Sequence, residues 1–140
     1  MNLAPIQLKK YFITQFNLTA LKNFDRTKPH MFFKNLQHTI VITNIKGQPG
    51  TFQVSLTLKH APQPNENLPY SYSLQIVGFF TVDPRFPKDK TGELIQINGP
   101  AVLYGTAREI LVQVSSRGYW GPIMLPTVNF IPTKDNSRRK

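Results

Sequence analysis

The chain has 140 residues and a mass of 16.0 kDa, enough for one domain with a buried core and too little for two ordinary ones. With 40% hydrophobic and 17% charged residues it is not the low-hydrophobicity, high-charge kind that stays disordered, and the absence of cysteine excludes disulfide frameworks, thiolate metal sites and cysteine nucleophiles. The net charge of +10 raises nucleic acid or an acidic protein as partners, although most of the Lys and Arg residues are scattered as on a solvated surface.

Met1 to Leu8 lacks the basic segment and long apolar core of a signal peptide, and the apolar stretch Ile76 to Val82 is too short to span a bilayer. The expectation is a cytoplasmic protein without membrane insertion. Pro5 to Ala20 alternates loosely, with Ile6, Leu8, Phe12, Phe16 and Leu18 among polar residues, and reads as one long, kinked strand. From Leu21 to Leu36 the pattern breaks into Lys, Asn, Asp, Thr and Pro around Phe24, Met31, Phe32 and Phe33: a connection with aromatic anchors.

Thr39 to Lys46 and Thr51 to His60 alternate on either side of Gly47-Gln48-Pro49-Gly50, which predicts a hairpin. The turn-rich Ala61 to Pro69 predicts a loop before a fourth strand, Tyr70 to Val82. Four antiparallel strands in a meander follow. Asp83 to Thr91, with Pro84 and Pro87, ends the sheet, and the period then changes from two to about 3.6. Gly99-Pro100 supplies a helix start, Leu103, Ala107, Ile110, Leu111 and Val114 form a stripe, and Arg117-Gly118 ends the helix. That stripe covers either one sheet face or another subunit. Tyr119 to Pro132 is apolar, but Gly121, Pro122, Pro126 and Pro132 forbid a regular helix, and Thr133 to Lys140 reads as a disordered basic tail after a single domain spanning 1–132. The fold class is α+β.

No catalytic or metal constellation appears among seven carboxylates and three histidines, so no enzyme, metal or cofactor is expected. His38 and His60 read as lone surface histidines, and Gly105 as a close-packing position in the helix. Apolar residues are plentiful in Met31-Phe32-Phe33 and Tyr119 to Ile131, segments that cannot all be core. Together they suggest a groove with adaptable walls, suited to unfolded segments without strict sequence selection.

Gly99-Pro100-Ala101-Val102-Leu103-Tyr104-Gly105-Thr106-Ala107-Arg108-Glu109-Ile110 resembles the helix of the SecB export chaperones, and Ser116-Arg117-Gly118 followed by Val128-Asn129-Phe130 fits the same family. Tyr11 to Leu18, Phe33-Lys34 and Val77-Gly78-Phe79-Phe80 extend the likeness over about residues 5 to 132. The resemblance implies a four-stranded antiparallel sheet with crossing first strands, a covering helix, assembly as a dimer or dimer of dimers, and ATP-independent binding of non-native chains. It further implies a client groove formed by Leu36, Ile40, Ile42, Trp120, Leu125, Val128 and Phe130, with Leu103, Ala107, Ile110, Leu111 and Val114 on the oligomer helix.

Two departures stand out. The family's second C-terminal helix is not expected here, since Ile131-Pro132 and a polar basic tail follow Phe130. The places where export members offer carboxylates to the motor protein SecA are here Gln15, Thr19 and Ser73, all neutral, which argues against SecA docking by that route. The expectation is therefore a holdase for unfolded polypeptides, in export or guarding a dedicated client such as an antitoxin. The alternative is a nucleic-acid-binding module that stacks bases on Tyr70, Tyr72, Phe79 and Phe80.

Overall fold

The computed structural model describes residues 1–30, 36–61 and 63–131, so the Met31-Phe32-Phe33 anchors and the basic tail lie outside the described residues. The elements run β1 (Ile6–Ala20), β2 (Gln37–Asn44), β3 (Thr51–His60), β4 (Tyr70–Val82) and α1 (Lys88–Ser115). β3 and β4 have the predicted limits, because unbroken period-two alternation is flanked on both sides by Gly, Pro and Asn. The β2–β3 turn uses Gly47 and Gly50 at φ 80° and 76°, a region that other residues seldom enter. Its Gly50 carbonyl also accepts the Val82 N–H at 2.8 Å, tying the hairpin to the end of β4.

The four strands form one antiparallel sheet in the order β1-β4-β3-β2. The predicted meander holds for β2, β3 and β4, but β1 lies across the sheet beside β4 instead of next to β2. Length matching accounts for this: the 15-residue β1 pairs along all of the 13-residue β4, whereas β2 has only 8 residues. β1 thus ends at Ala20 on one sheet edge, and β2 begins at Gln37 on the other.

β1 is kinked by register shifts at Leu8/Lys10 and Ile13/Gln15. Each shift leaves one residue unpaired and moves the alternation by one. Ile6, Leu8, Phe16 and Leu18 therefore face the core, while Phe12 points to the opposite sheet face beside Phe79, ring centroids 6.1 Å apart. That displacement is the physical source of the loose alternation in the sequence.

α1 begins after Pro87, eleven residues before the Gly99-Pro100 start read from the sequence, and carries Pro100 in its interior. A mid-helix proline removes one backbone hydrogen bond and costs about 3 kcal/mol. Tertiary packing overrides it, since Ile95, Gly99, Leu103, Ala107, Leu111 and Ser115 recur every four residues as one buried row. Within α1, Gly99 is the glycine that packs closely, a Cβ there meeting Val54 at 3.1 Å, whereas Gly105 faces open space and needs no such explanation.

The helix lies on β1, β3 and β4, over a core of Val54, Leu56, Leu58, Leu74, Ile76 and Phe80. Among the described residues no second helix follows Ser115, and no helix is long and apolar enough to cross a membrane.

Candidate functional site

After α1 the chain runs back across the sheet as an extended segment, 119–131, with no regular secondary structure. Its start is held by one phenol. Tyr70 Oη accepts the Trp120 N–H at 2.9 Å and donates to the Gly121 carbonyl at 2.9 Å, with the Ser115 carbonyl at 3.4 Å. Ser115 Oγ accepts the Ile123 N–H at 2.9 Å, so the helix end and the segment form one hydrogen-bonded knot. Gly118 fits because a Cβ there would collide with the Tyr70 ring.

From Ile123 to Leu125 the side chains alternate between the core and the outside. Ile123 and Leu125 enter the core, while Met124, Val128 and Ile131 remain exposed. At Phe130 the segment reaches β2: its ring lies 6.1 Å from His38 and 5.7 Å from Tyr104 of α1. Tyr104 Oη donates to the Pro126 carbonyl at 2.6 Å, fixing the segment against the helix, and burial pushes the phenol pKa up despite the opposing pull of nearby Arg108.

The residues expected to line a groove therefore separate into groups. Leu36, Ile40, Ile42 and Phe130 are partly buried against the core at the β2 side, and Val128, two residues before Phe130, is exposed. Trp120 lies instead near the end of β1, its Nε1 donating to the Leu21 carbonyl at 2.8 Å, with Phe24 5.1 Å away. Recesses of about 390 and 260 Å³ flank it, the first lined by Ala20, Leu21, Lys22 and Tyr119, the second by Phe24, His30, Pro69 and Pro122. Leu125 is 1% exposed and part of the core.

Leu103, Ala107 and Leu111 are buried against the chain's own sheet, Ile110 is half-buried, and Val114 is exposed, as is Val102 on the outer side. Met124 and Ile131 add exposed apolar surface beyond the residues expected to line the groove. The inward pair Ile123 and Leu125, read as alternation within an apolar run, was the available signal.

His60 is not a surface residue: it is 1% exposed and stacked on Tyr72 at 5.5 Å, because β3 places it on the core face in line with Leu58. Tyr70, Tyr72 and Phe80 are buried too, since even-numbered residues of β4 face the core. They cannot stack on bases, which leaves Phe79, on the outer sheet face, as the one accessible member of the aromatic set that the nucleic-acid reading required. Gln15 and Ser73 meet on the outer sheet face, Ser73 Oγ donating to Gln15 Oε1 at 2.9 Å, and Thr19 follows on that face. No group of three His, Asp or Glu suited to a metal occurs among the described residues.

Comparison with known proteins agrees with this architecture. The family model described as preprotein translocase subunit SecB matches residues 4–133. The protein-export protein SecB of Nitrobacter hamburgensis is 30% identical over 80 residues, 57% of this chain and 50% of that protein. That of Acidithiobacillus ferrooxidans is 28% identical over 88 residues, 63% of this chain and 58% of the relative. The chain thus spans between half and three-fifths of the length of these curated relatives. Among solved structures, a Mycobacterium tuberculosis SecB-like chaperone in complex with a ChAD peptide from the HigA1 antitoxin superposes with a TM-score of 0.66. It is 12% identical, over 89% of this chain and 91% of that one, a likeness of fold.

Proposed function

The chain belongs to the SecB family, and from that premise we infer that it is an ATP-independent holdase for unfolded or non-native polypeptides, in protein export or for a dedicated client such as an antitoxin. The observation that supports this reading is the incomplete burial of apolar residues on β2 and in the segment 119–131. α1 packs on β1, β3 and β4, while Ile40 and Ile42 on β2 and Phe130, whose ring lies against His38 of β2, are only partly buried, and Val128 is exposed. Leu36 and Trp120 extend the surface toward the two sides, and Leu125 anchors the segment from below.

Contacts of this kind suit varied guests, because exposed Met124 adapts its shape and the aromatic residues bury large areas. Burial contributes about 25 cal/mol per Å² before entropic costs, so binding should survive high salt. The reading requires no catalytic group and no cofactor.

It includes a homo-oligomer, dimer or dimer of dimers, supported by β1 and β2 as open sheet edges and by Val102 and Val114 on the outer side of α1. Docking of SecA through a carboxylate-bearing face is not part of it, given the neutral Gln15, Thr19 and Ser73. The test is light scattering of a chemically unfolded client diluted with and without the protein, free of ATP, at low and high salt. Suppression of aggregation at both salt concentrations is the expected result. Unchanged scattering for several clients, including an antitoxin, would overturn the reading.

A further inference from the structure

The groove is one-sided in charge. Segment 119–131 carries no charged residue, and none of the four strands contains Asp or Glu. Two arginines reach the segment. Arg26 lies 5.6 Å over the Trp120 ring, its Nη2 donating to the Trp120 carbonyl at 3.2 Å. Arg108, one turn after Tyr104 on α1, approaches Thr127 Oγ1 through Nη1 at only 3.5 Å, and its Nε is buried without a hydrogen-bond partner among the described residues.

Among the described residues, the carboxylates nearest Arg108 in the chain are engaged or remote. Glu109 accepts from Gln113 Nε2 at 3.3 Å, Asp83 is paired with Arg85 at 2.8 Å, and Glu93 lies four helical turns back, roughly 22 Å along the axis. A buried guanidinium N–H without an acceptor is costly, and a carboxylate is the acceptor that fits it, taking Nε and an Nη side by side.

We propose that this groove selects acidic-apolar polypeptide segments, with Arg108 as the specificity-determining residue that receives a client Asp or Glu carboxylate between Tyr104 and Thr127 while neighbouring client side chains pack on Phe130 and Val128. The inference rests on the holdase reading and specifies the client chemistry within it. Thr127 is exposed and its long contact is with Nη1, so it does not compete for the edge formed by Nε and Nη2.

The experiment uses the full chain and three peptides identical in their Leu and Phe residues, without Trp, carrying Glu, Gln or Lys at the intervening positions. Binding is followed by the emission of Trp120, the single tryptophan. At roughly 200 mM salt, where the Debye length falls below about 8 Å, the Glu peptide should bind about tenfold more tightly than the Gln peptide, and the Lys peptide most weakly. Arg108→Gln should abolish that preference and Arg108→Lys should reduce it. Lys59→Gln, which removes one charge from the opposite sheet face, should retain it.

Equal binding of the three peptides, tighter binding of the Lys peptide, or a preference that survives Arg108→Gln would overturn the proposal and leave the holdase reading standing. If none of the peptides binds and client aggregation is also unchanged, the holdase reading itself has failed.

Discussion

At the scale of single residues, Tyr70 holds more of the site than any groove side chain does. Its hydroxyl joins Ser115, Trp120 and Gly121. Tyr70→Phe leaves the Trp120 N–H and the Gly121 carbonyl to find new partners, a loss of about 1–3 kcal/mol. Urea unfolding should show that drop, accompanied by altered Trp120 emission in the folded protein; unchanged values for both would mean that the knot is dispensable. Leu56→Ala, in the centre of the sheet, should cost about 2–5 kcal/mol by the same measurement. Burial raises the pKa of both Tyr72 and Tyr104, so the folded state keeps protons that the unfolded state has already lost. Their contribution is intact below the ordinary phenol pKa near 10 and disappears as pH rises through the folded values. Stability measured in steps above pH 10 should therefore fall with each step.

At the scale of elements, the sequence was most informative where local rules act alone. The alternation of Thr51 to His60 and of Tyr70 to Val82, bounded by turn formers, yields β3 and β4 to the residue. The start of α1 was illegible because Pro100, ordinarily a first-turn residue, sits in mid-helix, held there by the buried row from Ile95 to Ser115. The neighbour of β1 was illegible for a different reason: pairing with β4 joins residues as distant as Ile6 and Val82, and no local signal encodes that. In the site, the family likeness supplied Trp120, Val128 and Phe130, but only the alternation of the extended segment explains why Leu125 is inside and Met124 outside. Gly105 offers an element-scale test. A Cβ there meets nothing, so Gly105→Ala should raise unfolding free energy by about 1 kcal/mol at concentrations where the chain is monomeric. A decrease would mean that the outer side of α1 is closely packed even then.

At the scale of the whole molecule, the positive charge and the apolar groove make separable predictions. The charge acts at long range and is screened by salt, whereas groove burial is not. Raising salt from roughly 50 to 200 mM should slow client capture more than it weakens the final complex, which stopped-flow Trp120 fluorescence can resolve into association and dissociation rates. A complex lost in proportion to the salt increase would instead indicate that charge alone holds it. The strand order carries one more consequence, for synthesis on the ribosome. β1 emerges first, yet its partner β4 is complete only at Val82, and the intervening β2 and β3 can pair only with each other until then. For that interval the amphipathic stretch Ile6–Ala20 trails as an uncovered strand, so during its own translation this chain displays the kind of segment that its mature groove is shaped to hold.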